Sequence, residues 1–495
     1  MFDKYILAPI LQNIEQNADR NAFCIDGVFY TYRQFGELVS AIRNTITVQP
    51  SSSGITALVA NDDLETYASI AALWLEGKAY VPLHPQQPIT RNVDIVEQAG
   101  VDYILNSSSA DFGTKTISTR NLSFSGLHLF PQTTDEQSLA YILFTSGSTG
   151  KPKGVPITRG NLGTFMNAFW QTGIAVDETD RCLQAYELTF DLSVQSYLVP
   201  LTKGACAFTV PHHEIKYSYV FGLLDDHQLT VAPVPPSLIR FLKPYFDEID
   251  VPSLRYTLLG AEASAIDLIA EWSQCVTNSE IYNCYGPTEA TIYCTIYKFP
   301  TDGKAKNHNG QMAIGKPFTG ITAVIVGDNN EIMPIGNQGE LCIAGDQLTA
   351  GYWNNPEKNA QSFFEMPFAG QQTRFYRTGD FCHIDEEGDI LYHGRMDYQI
   401  KIQGYRVELG EIEHHAREFL KQHNTVAVAF ENKSGNTEIA LYIEGECNLT
   451  DELSVYLKTK VPAYMMPHKY IVKDVFPLNT SDKVDRKTLK EMAVS

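Results

Sequence analysis

The sequence predicts an α/β protein: a large N-terminal domain of parallel-sheet subdomains plus a β-rich subdomain, followed by a small α+β C-terminal domain. Three textures along the chain carry that prediction. In the first half, β-branched runs such as 54–59 (GITALV) alternate with helical stretches such as 64–75, the pattern of β-α units laid over a largely parallel sheet. From about Gly310 short strands are separated by Gly, Pro and Asn-Asn turns (TAVIVGDNNEIMPIG, GELCIAG, GDILYHG), as expected of a β-rich subdomain. After Gly394-Arg395-Met396-Asp397, a helix over 409–423, strands over 425–430 and 439–444, a helix over 451–460 and a strand over 470–475 make up an α+β unit. The boundary falls near Asp397, giving domains of residues 1–396 and 397–495.

A chain of 495 residues is too long for one ordinary core. With 44% apolar and 19% charged residues, the composition is that of a soluble globular protein and excludes disorder as the default. The balance of 38 basic against 58 acidic residues gives a net charge of −20, which disfavours nucleic acid and anionic membrane as partners. Any phosphate site must then be built locally, from loop amides and a few lysines.

The N-terminal MFDKYILAPILQNIEQNADR carries acidic residues in and around its apolar stretch, so it reads as an amphipathic surface helix and not as a secretion signal. No apolar run is long enough to span a bilayer, and a cytoplasmic location is expected. The nine cysteines form no C-x-x-C pair and read as buried free thiols. His212-His213-Glu214 and His414-His415 lack zinc-ligand spacing.

Tyr141 to Gly154 reads YILFTSGSTGKPKG: a strand entering a loop of Thr145, Ser146, Gly147, Ser148, Thr149, Gly150, Lys151 and Lys153. Glycines open the backbone amides to an anion, hydroxyls donate and lysines add charge, so the loop suits a polyphosphate. It is not the usual P-loop, because Pro152 follows Lys151 and no Lys-Ser/Thr pair leads into a helix.

This loop resembles the phosphate loop of the adenylate-forming superfamily, which includes acyl-CoA synthetases, luciferases and the adenylation domains of nonribosomal peptide synthetases. Further matching segments follow in the family's order over nearly the whole chain: YVPLHP (80–85), YELTFDLS (186–193), NCYGPTEAT (283–291), GELCIAGDQLTAGYW (339–353), YRTGD (376–380), GRMDYQIKIQGYRVELGEIE (394–413) and NTSDKVDRK (479–487). The resemblance implies ATP and Mg²⁺ as cofactors. It implies Asn283 and Tyr285 against adenine with Gly260-Ala261-Glu262 as the opposite wall, Thr288 on the α-phosphate, Glu289 on Mg²⁺, and Asp380 with Arg395 at the ribose. The residue types suit those tasks: an aromatic face stacks on a base, and an acceptor-only carboxylate receives two hydroxyls.

Lys483 resembles the catalytic lysine that enters the site during adenylation, where a cation neutralises charge developing at the α-phosphate. The family usually has Gly before this lysine, and Asp482 stands there instead. Asp397 matches the hinge about which the mobile C-terminal domain of such enzymes turns, and Gly404 lies in a loop similar to the one lining the thiol's path.

Phe190-Asp191 in YELTFDLS resembles amino-acid-activating members, whose Asp pairs with the substrate's α-ammonium; the alternative from the residues alone is an N-cap for a helix starting near Ser193. By alignment Leu192, Gln195, Pro233, Thr257, Leu259, Cys284, Ile292 and Tyr293 surround the substrate side chain. None is charged, which implies a neutral amino acid of small or medium size. No carrier-domain segment is present in this sequence, so the resemblance, closest in pattern to freestanding enzymes such as D-alanine:carrier protein ligases, implies a separate carrier protein with a phosphopantetheine arm. The rival readings are an acyl- or aryl-CoA synthetase using coenzyme A, and a nucleotide-binding scaffold without turnover.

Overall fold

The structure, a computed structural model, describes residues 1–110, 112, 115–147, 150–479 and 484–494. The chain divides into two compact units: Met1–Pro85, Ala99–Leu143 and Gly154–Met396 form the first, and Gln86–Gln98, Phe144–Lys153 and Asp397–Ser495 the second. The second unit thus combines residues 397–495 with 86–98 and 144–153.

The first unit is dominated by two largely parallel sheets. Ile55–Val59 and Ala79–Leu83, each buried at every position, pair in parallel in a six-stranded sheet. Strands buried on both faces are continuously apolar, which is why ITALV and AYVPL show no alternation. The second sheet has nine strands. Asn21–Ile25, Cys206–Thr209, Arg181–Gln184, Val231–Val234, Tyr256–Leu259 and Glu280–Tyr285 run parallel through its centre, and antiparallel strands flank them.

Local chemistry fixes where the covering helices start and stop. Thr31 and Thr158 each accept a backbone N–H three residues on, while Gln34 and Asn161 reach back to the cap, satisfying end donors reciprocally. The helix Asp191–Lys203 stops at Gly204, whose φ of 75° lies in the left-handed region. A five-stranded antiparallel sheet, Ile321–Val326, Gly339–Gly345, Gln371–Ile384, Phe363–Phe368 and Ile390–Arg395, forms the β-rich part. The N-terminal stretch folds as a turn over Asp3–Leu7 and a helix over Ala8–Gln16 that bury Ile6, Leu7, Ile10 and Ile14. No helix among the described residues is long and apolar enough to cross a membrane.

In the second unit, Thr425–Glu431, Thr437–Glu444 and Lys469–Lys473 make a three-stranded sheet, accompanied by helices Leu409–Leu420, Thr450–Lys458 and Arg486–Val494 and the hairpin Gln399–Ile402/Tyr405–Glu408. The helix expected over 409–423 stops earlier, because Lys421 takes φ of 51°. Arg91 explains the grouping of 86–98 with this unit: its guanidinium meets the fully buried Glu411 carboxylate at 2.5 Å.

Removing one partner of a buried ion pair strands the other charge. Glu411→Ala should therefore destabilise the second unit by about 3–5 kcal/mol, measurable as an earlier urea transition; an unchanged transition would mean that the pair contributes nothing.

Candidate active site

In the first unit the strand Glu280–Tyr285 delivers Tyr285 to the end of the nine-stranded sheet, and its hydroxyl donates to Asp380 Oδ2 at 2.5 Å. Asp380 sits directly across the antiparallel ladder from Arg395, whose Nη1 reaches Asp380 Oδ1 at 3.0 Å and the Thr378 carbonyl at 2.7 Å. The strand pairing itself thus assembles a Tyr-Asp-Arg group. Burial first, and the Asp380 charge second, push the Tyr285 phenol well above its ordinary pKa, so it stays a donor.

Beyond Tyr285 the chain turns through Gly286, where a Cβ would collide with the Ile292 carbonyl. Only glycine permits that approach. The turn brings up Thr288 and Glu289 in a short 3-10 helix; Glu289 is fully buried and its Oε1 accepts the Tyr352 hydroxyl at 2.6 Å. Asn283 is committed on both ends of its amide, accepting from Ser264 at 2.9 Å and donating to the Ala313 carbonyl at 2.9 Å. Gly260, Ala261 and Glu262 follow the neighbouring strand Tyr256–Leu259; Ala261 has φ of 71°, and Glu262 Oε2 accepts the Ser237 N–H at 2.8 Å.

Asp191 is the first residue of the helix Asp191–Lys203 and is 5% exposed. The N-cap position belongs to Phe190, with no side-chain cap bond, so the helix-cap alternative does not describe Asp191. Its charge raises the phenol pKa of Tyr141, Tyr186 and Tyr293, in each case after the larger effect of burial. Leu192, Cys284, Ile292 and Tyr293 join one buried apolar cluster, and Gln195 is fully buried one turn beyond Asp191.

Two expected lining residues face elsewhere. Thr257 Oγ1 bonds to Ser279 at 3.0 Å and receives the Trp272 indole at 3.4 Å, and Leu259 packs with Leu268, Ile269 and Trp272. In a strand, successive side chains alternate faces. Leu258, between them, is the residue that joins the cluster of Leu192, Cys284 and Tyr293.

In the second unit the loop after Leu143 is tied to the segment 406–411 by Ser146, Gly147 and Lys153. Ser146 Oγ donates to the Arg406 carbonyl at 2.8 Å and accepts the Glu408 N–H at 3.2 Å. The Gly147 N–H donates to Glu411 at 3.0 Å, and Lys153 pairs with Glu408 at 3.3 Å. Thr145 Oγ1 contacts the Lys153 carbonyl at 3.5 Å, and Gly150 has φ of 82°. Asp397 accepts the Gln399 N–H at 3.1 Å in a local turn, and Gly404 turns the hairpin with φ of 86°. Ser148, Thr149 and Lys483 lie outside the described residues.

Sequence reasoning missed Tyr352, although it stands in the matched segment GELCIAGDQLTAGYW, and Glu408 and Glu411, which stand in GYRVELGEIE. Helix geometry also brings Glu418 to His414 and His415, with one ligand atom of each within 4.8 Å.

Residues 10–353 match the family model described as AMP-binding enzyme. The chain belongs to the AMP-binding enzyme family. Bacitracin synthase 3 of Bacillus licheniformis is 32% identical over 473 residues, and tyrocidine synthase 1 of Brevibacillus parabrevis is 29% identical over 494 residues. These matches cover 93% and 97% of this chain but only 7% and 44% of those proteins. Among AMP-binding enzymes of solved structure, the Vibrio cholerae adenylation domain AlmE, in complex with glycyl-adenosine-5'-phosphate, superposes with a TM-score of 0.86 at 26% identity, over 100% of this chain and 97% of that one. PA1221, an NRPS protein containing adenylation and PCP domains, shares the fold, with a TM-score of 0.85 at 22% identity over 98% of this chain and 84% of that one.

Removing a donor from a buried carboxylate exposes its desolvation cost. Tyr352→Phe is expected to lower stability by about 1–3 kcal/mol, read by thermal unfolding without nucleotide; an unaltered melting temperature would show that Glu289 does not depend on this hydroxyl.

Proposed function

We propose that the chain is an ATP-dependent ligase that converts a neutral amino acid to its aminoacyl adenylate and passes the aminoacyl group to the phosphopantetheine thiol of a carrier protein. The observation that carries this reading is the pairing, within one unit, of the Tyr285-Asp380-Arg395 group with a buried carboxylate at Asp191. The first suits a ribose diol beside a base, and the second suits an α-ammonium.

In the first reaction, a substrate carboxylate oxygen bonds to the α-phosphorus of ATP while the bond to the bridging β-phosphate oxygen breaks and pyrophosphate leaves. Asp191 orients the amino acid through its ammonium. Asp380 accepts from the ribose hydroxyls, with Arg395 and Tyr285 holding the carboxylate in place. Tyr285 and the Gly260-Ala261-Glu262 segment border the adenine, with Asn283 fixing the local backbone through Ser264 and the Ala313 carbonyl. Thr288 donates to the α-phosphate, and Lys483 neutralises charge that builds during transfer. The amides and hydroxyls of residues 145–150, with Lys153, cradle the leaving phosphates.

Mg²⁺ fits the donor set, since Glu289 is a buried carboxylate with one oxygen fixed by Tyr352 and hard cations take oxygen ligands. When bound, the ion supplies positive charge to the phosphates. In the second reaction the thiol sulfur bonds to the acyl carbon, the bond to the AMP oxygen breaks, and AMP leaves. A site that must first hold Lys483 and then a thiol calls for movement, so residues 397–495 turn against 1–396 about Asp397, with Gly404 on the thiol's path.

AlmE carries a glycyl adenylate, which supports amino-acid cargo. PA1221 contains an adenylation domain together with a PCP domain, which supports a carrier protein as acceptor. The second reading, an acyl- or aryl-CoA synthetase, would share the ATP residues and replace the carrier by coenzyme A.

Pyrophosphate release with ATP-Mg²⁺ and a panel of L- and D-amino acids, fatty acids and aryl acids separates the two readings. Turnover is expected with a neutral amino acid, and turnover only with acids lacking an α-amino group would favour the CoA synthetase. Lys483→Ala should lower kcat for adenylation by roughly 10²-fold or more with ATP affinity kept; unchanged adenylation kinetics would remove the lysine from this role. Asp191→Ala should raise KM for the amino acid and leave KM for ATP near its original value. An equal rise in both would point to a folding defect.

A further inference from the structure

The surroundings of Asp191 contain buried polar groups with no hydrogen-bond partner among the described residues. The Gln195 amide nitrogen, the Tyr186 hydroxyl and the Tyr293 hydroxyl are all in this state, on residues that are 0%, 8% and 1% exposed. The other end of the Gln195 amide fares little better. Its Oε1 has only the Ser196 hydroxyl at 3.5 Å, and that hydroxyl has a closer acceptor in the Leu192 carbonyl at 2.9 Å. Nearly all buried polar groups in folded proteins are paired, so each of these atoms calls for a partner that the described side chains do not supply.

Their placement is specific. Gln195 follows Asp191 by one turn on the same helix face. The Tyr293 hydroxyl lies 3.2 Å from where a Cβ on Gly260 would stand, with Leu192 Cδ2 at 2.7 Å from the same point, so Leu192, Gly260 and Tyr293 pack closely enough that a bulky side chain would not fit among them. The charge of Asp191 acts on both Tyr186 and Tyr293. The remaining wall, Leu192, Cys284 and Ile292, is neutral, and the nearby Glu262 accepts the Ser237 N–H. Two carboxylates, Glu262 and Asp191, act on Tyr186; Asp191 is assigned to the α-ammonium and Glu262 is engaged by the Ser237 N–H, and an anionic side chain would face both. An apolar side chain would leave every orphan unpaired.

We propose that the substrate is a short amino acid whose side chain carries a neutral hydrogen-bonding group, a hydroxyl or a carboxamide, and that Gln195 and Tyr293 are the residues that recognise it. The amide of Gln195 offers a donor and an acceptor, and the phenol of Tyr293 offers either. This rests on the aminoacyl-adenylate reading and refines it. Sites with buried polar groups reject the analogue that cannot pair with them far more strongly than apolar pockets reject an extra hydroxyl.

The test is amino-acid-dependent pyrophosphate exchange with matched pairs: serine against alanine, threonine against valine, asparagine against leucine. The polar member of at least one pair is expected to be favoured in kcat/KM by roughly 10- to 100-fold. Gln195→Met or Tyr293→Phe should shrink that preference several-fold through KM for the amino acid, with KM for ATP unchanged and melting temperature of the free enzyme unchanged or raised, since the one internal contact given up is the 3.5 Å approach of the Ser196 hydroxyl to Gln195. Preference for the apolar member in all three pairs would overturn the proposal. So would a preference that neither substitution reduces, or a fall in melting temperature in both variants, which would mean that ordered water or an internal partner already satisfies these groups. Turnover of fatty or aryl acids with none of any amino acid would instead bring down the underlying aminoacyl reading, and this inference with it.

Discussion

A carboxylate taken out of water must be given donors or a cation, and the architecture around the candidate site is largely a set of answers to that demand. Asp380 receives Tyr285 on one oxygen and Arg395 on the other. Glu289 receives Tyr352, and Glu411 receives Arg91 together with a backbone amide of Gly147. Each solution draws on residues far apart in sequence, so the buried charges fasten distant segments together. Tyr285 and Asp380 come from different sheets, and 86–98 and 144–153 join the C-terminal unit through the Glu411 group.

The same demand reconciles a chain of net charge −20 with the polyanionic cofactor of the proposed reaction. Attracting ATP does not then require positive charge spread over the surface. The proposed site draws on backbone amides of the phosphate loop, one lysine at each of positions 151 and 153, and the charge-bearing C-terminal segment around Lys483. Local dipoles act at short range in a partly dry site and need no global field.

Much of this was legible in the sequence where residue type and spacing express local physics. The helix at 64–75 and the strand core at 55–59 follow from apolar runs between clear breakers. What sequence spacing could not show was direction. Thr257 and Leu259 lie at plausible lining positions, yet the strand places both toward Trp272 and turns Leu258 inward. Asp is a favoured helix cap in any sequence, and only the structure shows that the cap position before this helix belongs to Phe190. Unpaired polar atoms, such as those of Gln195 and Tyr293, leave no trace in a sequence, because pairing is decided by neighbours from other elements.

The measurement that tests the central claim most directly is a crystal structure of the protein with a non-hydrolysable sulfamoyl analogue of an aminoacyl adenylate. The ribose diol is expected within hydrogen-bond distance of the Asp380 carboxylate, the purine bordered by Tyr285, and the α-ammonium on Asp191. An analogue bound elsewhere, or bound with its ammonium away from Asp191 while the ribose sits on Asp380, would contradict that claim.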